Sequence, residues 1–518
     1  MTPERRVVLG LVRFELPRLL RRPSVVVGFL ATGAAIWLSY RTTAPVLDRD
    51  SAGLVARFLP LAAGLLVAMH GVGSRPRRGK VGEILAAVPT RPAARVTGES
   101  FALVGPVIGG FVVLGAAMVF LLLGEPTGGW RWTELAAMPA LLLLGGGIGL
   151  ALGQWLPRSV SPIVTVIVLA YGQAWATSDA QSFTGRWLAG IAPVHLLQAS
   201  EPYVWQARSP GAHLAWLLAL AAFAAITAIL RWDRRGTVVA SGAVFAVVAV
   251  VAGGASLRAA QADAPFVEPE LGVVVEQVET AAVEGDLFAV CEQRDALTFC
   301  ALPGYEGWIP RWHETVTRIT DLTPLSATRV DQRPWNIAFP SDGSDVIVTG
   351  MSWDRPGVSA RETFELSAAV GLRSMIPAGA ARDGCWLGGQ AGGAVGLWLA
   401  VQGDEDLIDE LRERVASARS GQSIQVEADG TERAIDFSPL WLGVSTLDLG
   451  VGVDDGEVAL AMLTLPEPTI EEVVIAELDA WREPDASLAD LAEALGLDAP
   501  EPPDEALVAE WWGGGTCR

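Results

Sequence analysis

Few residues in this chain are of types and spacings that could do chemistry. His313 and Glu314 open like the zinc-peptidase pattern HExxH, but Thr315, Val316 and Thr317 follow, so the second ligand is missing. His313 is also the only histidine after residue 213, which excludes a three-histidine metal site there and leaves any Ser-His-Asp triad resting on it alone. The plainer reading of His313 is a surface histidine on an amphipathic helix. Acidic runs at 404–409, 454–457 and 485–504 lack the DxDxDG spacing of a calcium loop and read as solvated faces. No GxxxxGK[ST] pattern occurs, so ATP-driven work has to come from another chain. The sequence implies no cofactor, no metal and no enzyme activity of its own.

The four cysteines, Cys291, Cys300, Cys385 and Cys517, all lie in the second half. An even count confined there suits disulfides in an oxidising compartment. Cys291 and Cys300 flank a turn-like stretch, QRDA, between apolar runs, which favours that bridge, with Cys385–Cys517 by elimination. The tryptophans of this half, Trp308, Trp312, Trp386 and Trp398 among them, could line a groove or fill a core.

The elements that carry these residues differ sharply between the two halves. Residues 1–260 hold 23 Arg and Lys against 11 Asp and Glu, a net of +12. The rest holds 15 against 47, a net of −32, which together give the chain's −20. The basic, apolar half suits a membrane, and the acidic half repels phosphates, so nucleic acid is not an expected partner. Seven apolar segments approach the length of a bilayer span: 24–40, 58–73, 101–123, 135–156, 161–176, 213–230 and 238–251, the fifth being the weakest. Arginines cluster before the first span, at 75–95, at 158 and at 231–235, which places those segments and the N-terminus in the cytoplasm. Seven spans then put residues 261–518 outside, in agreement with the cysteines. The expected architecture is a membrane all-α helical bundle of about seven spans, residues 24–260, followed by an extracytoplasmic mixed α+β domain, residues 261–518.

Residues 1–23 interleave arginines with Val, Leu and Phe and read as an interfacial amphipathic helix on membrane lipid. Its alternative is a basic flank that only sets topology. Inside the spans His70, Gln154 and Gln173 stand out. The absence of mid-membrane carboxylates argues against a proton- or sodium-driven pump. Gly145, Gly149 and Gly153, and separately Gly105 and Gly109, form small-residue ladders, for a subunit interface or for packing inside one bundle. In the loop 75–99, residues 81–88 can form a short helix ended by Pro89, a docking element.

Three segments, RFELPRLLRRPS before the first span, GEILAAVPTRPAAR after the second and WLAGIAPVHLLQAS between the fifth and sixth, resemble the transmembrane subunit of ABC-2 type exporters over about residues 3–231. The resemblance implies an elbow helix, a coupling helix that meets a separate ABC-type ATPase subunit, and short helices dipping from the outer side. It implies that Glu83, Arg91 and Arg95 face the ATPase, and that a second permease subunit completes the transporter in the plasma membrane. The seventh span and the external domain depart from the common six-span pattern. They resemble permease-like proteins of high-GC actinobacteria, in keeping with Lys80 as the only lysine. The other function considered is a non-transporting sensor or scaffold whose external domain binds a ligand.

Overall fold

A computed structural model describes residues 3–78, 91–178, 192–194, 209–262, 290–325, 327–332, 346–349, 355, 360–376, 385–420, 423–426, 432–435, 439–440 and 449–500. The chain forms two compact units, Met1–Val275 and Glu276–Arg518, with Thr42–Ala44 and Ala199–Pro202 grouped with the second.

The first unit is helical. Among the described residues its helices of ten residues or more are α1 (Pro3–Leu20), α2 (Pro23–Tyr40), α3 (Leu47–Ala56), α4 (Leu59–Arg78), α5 (Pro92–Phe101), α6 (Val104–Leu122), α7 (Ala137–Trp155), α8 (Ser161–Ser178), α9 (Pro210–Leu230) and α10 (Gly236–Ala262). Six described stretches are long and apolar enough to cross a membrane: Pro23–Tyr40, Leu47–Pro76, Pro92–Leu122, Trp132–Trp155, Pro210–Leu230 and Gly236–Arg258. The fifth expected span coincides with α8, whose apolar stretch Ser161–Trp175 is shorter than these.

Helices α4 and α7 are the most enclosed, and the glycine ladder explains why. A Cβ added at Gly145 would lie 2.5 Å from the Ala62 carbonyl oxygen, at Gly149 2.1 Å from that of Leu66, and at Gly153 2.6 Å from that of His70. The ladder therefore packs one backbone directly on another inside a single chain. Gly105 and Gly109 likewise abut Leu16 and Phe29 of the same chain.

At one end of this bundle the α2–α4 connection is laced to the α6–α7 connection. Leu47 donates its N–H to the Thr127 carbonyl at 2.9 Å, and Thr127 donates to that of Pro45 at 3.0 Å. Asp48 accepts from the Gly129 N–H at 2.8 Å and pairs with Arg131, while Ser51 accepts from the Arg131 N–H at 3.1 Å. Asp50 accepts from the Val46 N–H at 2.7 Å. Asp50 thus meets the N–H of the N-cap residue of α3, while Asp48, also in its first turn, meets donors from the α6–α7 connection.

The second unit is mixed. Strands β1 (Val290–Arg294), β2 (Leu297–Ala301), β3 (Arg329–Gln332) and β4 (Val346–Thr349) form a sheet in that order, antiparallel at β1–β2 and parallel beyond. The parallel step from β2 to β3 needs a crossover, which α11 (Ile309–Thr320) supplies. Its Trp312, Val316 and Ile319 recur at helical spacing and are buried. Cys291 and Cys300 are direct cross-strand partners in the hairpin and form a disulfide, as the turn-like spacing indicated.

Next come α12 (Arg361–Ser374), β5 (Cys385–Trp386), α13 (Ala391–Ala400), α14 (Glu405–Ser420), β6 (Ser423–Val426), β7 (Glu432–Ile435), β8 (Pro439–Leu440), β9 (Leu449–Gly452), α15 (Val453–Met462) and α16 (Leu488–Ala494). Strands β5, β9 and β8 form a second small sheet, and β6 pairs with β7. Every residue of α13 is buried, as its uninterrupted apolar sequence AGGAVGLWLA requires. It meets α12 where a Cβ at Gly371 would stand 2.2 Å from the Gly396 carbonyl oxygen.

One expectation changes. The acidic run 454–457 is not one solvated face. Asp455 is fully buried, accepting N–H bonds from Gly389 and Gly452, because it caps α15, a helix the sequence reading missed. Of the two roles the sequence leaves open for the tryptophans, Trp308, Trp312 and Trp386 take the core. The segment after α15 is broken into Glu467–Ile470, a π-helical turn Glu471–Ile475 and Leu478–Trp481. Cys517, and with it the expected Cys385–Cys517 pairing, lies outside the described residues.

Candidate coupling site

The candidate site is built around the two described ends of the loop 75–99. Its first end is the last turn of α4, which carries Arg75; its second is α5, which begins at Pro92. Proline at the first helical position fixes the start of α5, with Arg91 as its exposed N-cap residue. Arg95 lies one turn further along and is half-buried. Glu83 and the rest of residues 79–90 lie outside the described residues.

Helix α1 joins these two ends. Its one acidic side chain after Glu4, Glu15, sits on the apolar side of the helix and is buried. Arg75 donates to Glu15 Oε1 at 2.6 Å. Arg22, just past α1, donates to the Ala68 carbonyl on α4. Burial and then the neighbouring Arg75 cation lower the Arg22 pKa, and Glu15 opposes them. On the other side α1 packs against α5 so closely that a Cβ at Gly98 would meet Leu11 Cβ at 3.0 Å.

Glu99, the residue after Gly98, is buried within electrostatic reach of Glu15, Arg75 and Arg95. The Oε2 atoms of Glu15 and Glu99 have no hydrogen-bond partner among the described residues. The Glu15–Arg75 ion pair and the Arg22–Ala68 hydrogen bond tie α1 to α4, and close packing at Gly98 ties α1 to α5. A buried carboxylate bound to one arginine resists separation, since parting them strands a charge in low dielectric.

Of the sequence-derived site residues, Arg91 and Arg95 share the start of α5. Glu15, Arg22, Arg75 and Glu99 were missed as a group. A signal for Glu15 was present: Leu11, Val12, Leu16 and Leu19 surround it at helical spacing, so it had to fall on the buried side.

The polar residues picked out inside the spans make hydrogen bonds between segments. His70 Nε2 lies 3.2 Å from the Leu156 carbonyl oxygen at the end of α7. Gln154 Oε1 accepts from Trp232 Nε1 at 2.8 Å. Gln173 grips Val194 twice, donating Nε2–H to its carbonyl at 2.8 Å and accepting its N–H at 3.4 Å.

In the second unit His313 Nε2 lies 2.7 Å from Asp295 Oδ2 and 3.4 Å from Thr317 Oγ1. Both partners address the same ring nitrogen. A nucleophile–base–carboxylate relay needs them on opposite nitrogens, so this trio is not one. No group of three or more potential metal ligands occurs among the described residues. Comparison with protein families, curated proteins and solved structures gives no match.

Proposed function

We propose that this chain is the transmembrane permease subunit of an ABC-2-like exporter, driven by a separate ATPase that docks on the loop 75–99. The observation that carries the reading is the convergence of that loop's two ends on α1, through Glu15–Arg75 and the Gly98–Leu11 contact. A push on the loop moves α4 and α5 together, and with them α1. Buried charge and close backbone packing make this a unit that shifts as a body, as a mechanical input requires.

In this reading α8 is the fifth of seven spans, and the acidic domain lies outside the cell, where it gates, chaperones or recognises the cargo. The disulfide Cys291–Cys300 supports that side, since such bonds persist in oxidising compartments. So does the alternation of arginine-rich segments along the first half. A second permease subunit completes the transporter. The test places a photo-crosslinking amino acid at Arg91 in the native membrane. Capture of an ATP-binding subunit supports the reading. Capture of no ATPase by a folded, membrane-inserted protein overturns it.

A further inference from the structure

Helix α1 divides into two halves at about 100° per residue. Leu11, Val12, Glu15, Leu16 and Leu19 share one half and pack inward, Leu11 against Gly98 and Leu16 against Gly105. Arg6, Leu9, Arg13, Phe14 and Arg18 share the other half, and all are exposed. Arg21, one residue past the helix, continues that face and is exposed too. Leu9 and Phe14 each keep about half of their surface, 50% and 51%, and the Arg18 guanidinium sits 3.7 Å from the Phe14 ring centroid.

The arginines of this segment are thus sorted. Arg22 turns inward to the Ala68 carbonyl, whereas Arg6, Arg13, Arg18 and Arg21 face outward, none in an ion pair with a carboxylate among the described residues. A purely solvated face would not present Leu9 and Phe14, and a purely buried one would not present four cations. Cations interleaved with large apolar groups suit the depth where acyl chains meet headgroups. Pro23–Tyr40, an apolar stretch long enough to span a membrane, begins two residues after Arg21, so that depth is at hand.

We propose that the outer face of α1 binds the phosphates of anionic phospholipid headgroups through Arg6, Arg13, Arg18 and Arg21, with Leu9 and Phe14 set in the acyl boundary. The complementarity is of charge and of depth together. An acidic protein would match the arginines but not the bilayer position of the two apolar groups. The inference rests on the membrane-spanning helices and on α1, and holds whether or not an ATPase docks on the chain.

The test reconstitutes the intact chain in phosphatidylcholine and compares the association of spin-labelled phosphatidylglycerol with that of spin-labelled phosphatidylcholine. The wild type prefers the anionic lipid. One arginine near a charged surface contributes roughly five-fold, so Arg13→Gln lowers the preference by about that factor. The triple change Arg13→Gln, Arg18→Gln, Arg21→Gln brings it close to one, and the matching triple lysine variant keeps it. Arg234→Gln with Arg235→Gln, exposed at another turn, leaves it unchanged. Preference retained in the triple glutamine variant would overturn the proposal. So would equal loss in the Arg234/Arg235 pair or in the lysine variant, or removal of the preference by inorganic phosphate at constant ionic strength. An acidic protein bound by the wild type and lost in the triple glutamine variant, with no lipid preference in either, would reassign the face to a protein partner.

Discussion

Replacing Gly149 by alanine adds one methyl group at the tightest point of the α4–α7 seam. That Cβ would stand 2.1 Å from the Leu66 carbonyl oxygen and 2.8 Å from its carbonyl carbon. Ordinary carbon contacts begin at about 3.5 Å, so the two helices must separate by about 1 Å over a turn. The obstacle is backbone, and no rotamer can relieve it. Overpacking of this kind costs about 1–3 kcal/mol. Gly115 provides the opposite case: it lies in α6 with nothing within 4 Å of its would-be Cβ, so alanine there gains helix propensity without a clash. Gly115→Ala should stabilise by about 0.5–1 kcal/mol. The assay is reversible unfolding of the full chain in mixed micelles, followed by the signals of the first unit's tryptophans. Adding Gly145→Ala to Gly149→Ala should cost less than the sum of the two singles, because one separation relieves both. The reasoning fails if Gly149→Ala is neutral, or if Gly115→Ala destabilises as much.

Other perturbations test other parts. Arg75→Ala leaves Glu15 buried without its ion partner and should destabilise the first unit by about 2 kcal/mol, with Glu15→Gln in the same chain recovering most of the loss, measured by the same unfolding assay. Replacing Cys291 and Cys300 by serine opens a short cross-link, separation 9, and should cost the second unit about 2–3 kcal/mol; unchanged thermal unfolding would show that the strand pairing holds without it. Burial pushes the Asp455 carboxyl up from 3.8 to about 8. The folded form then keeps a proton that the unfolded chain has released, so this group's contribution to stability falls as pH rises between about 4 and 8 and is flat above. Stability of wild type minus Asp455→Asn should therefore decline across that window in pH-dependent unfolding, and a level difference would contradict the assignment.

Much of this structure was legible in the sequence where a single pattern decides the outcome. Apolar runs longer than a helical turn or two located most long helices within about five residues, though α10 runs eleven residues past the expected 251 to Ala262, and the turn-like QRDA gave both the β1–β2 hairpin and its disulfide. The glycine ladder of α7 was visible, but whether it met another helix of the same chain or a partner was not, since spacing carries no partner. Glu99 escaped notice because it sits in a basic stretch that reads as surface-bound, and tertiary packing buries it near Arg75; Glu15 was marked by its apolar neighbours at helical spacing but was masked by the arginines around it. Asp455 was misread for the related reason that a capping carboxylate and a solvated one look alike in an acidic run. The parallel pairing of β2 with β3 depends on a crossover and has no local signature. Glu83, the docking residue suggested by resemblance, lies outside the described residues.

The most direct test of the account is gentle affinity purification of the tagged full-length protein from its own membranes, alongside a Glu83→Arg, Arg91→Glu double variant, with mass spectrometry of what accompanies each. The account predicts one ATP-binding subunit in near-equal amount with the wild type and its loss from the folded double variant. An intact wild-type protein with no ATPase beside it would contradict the account and turn attention to what the acidic domain binds.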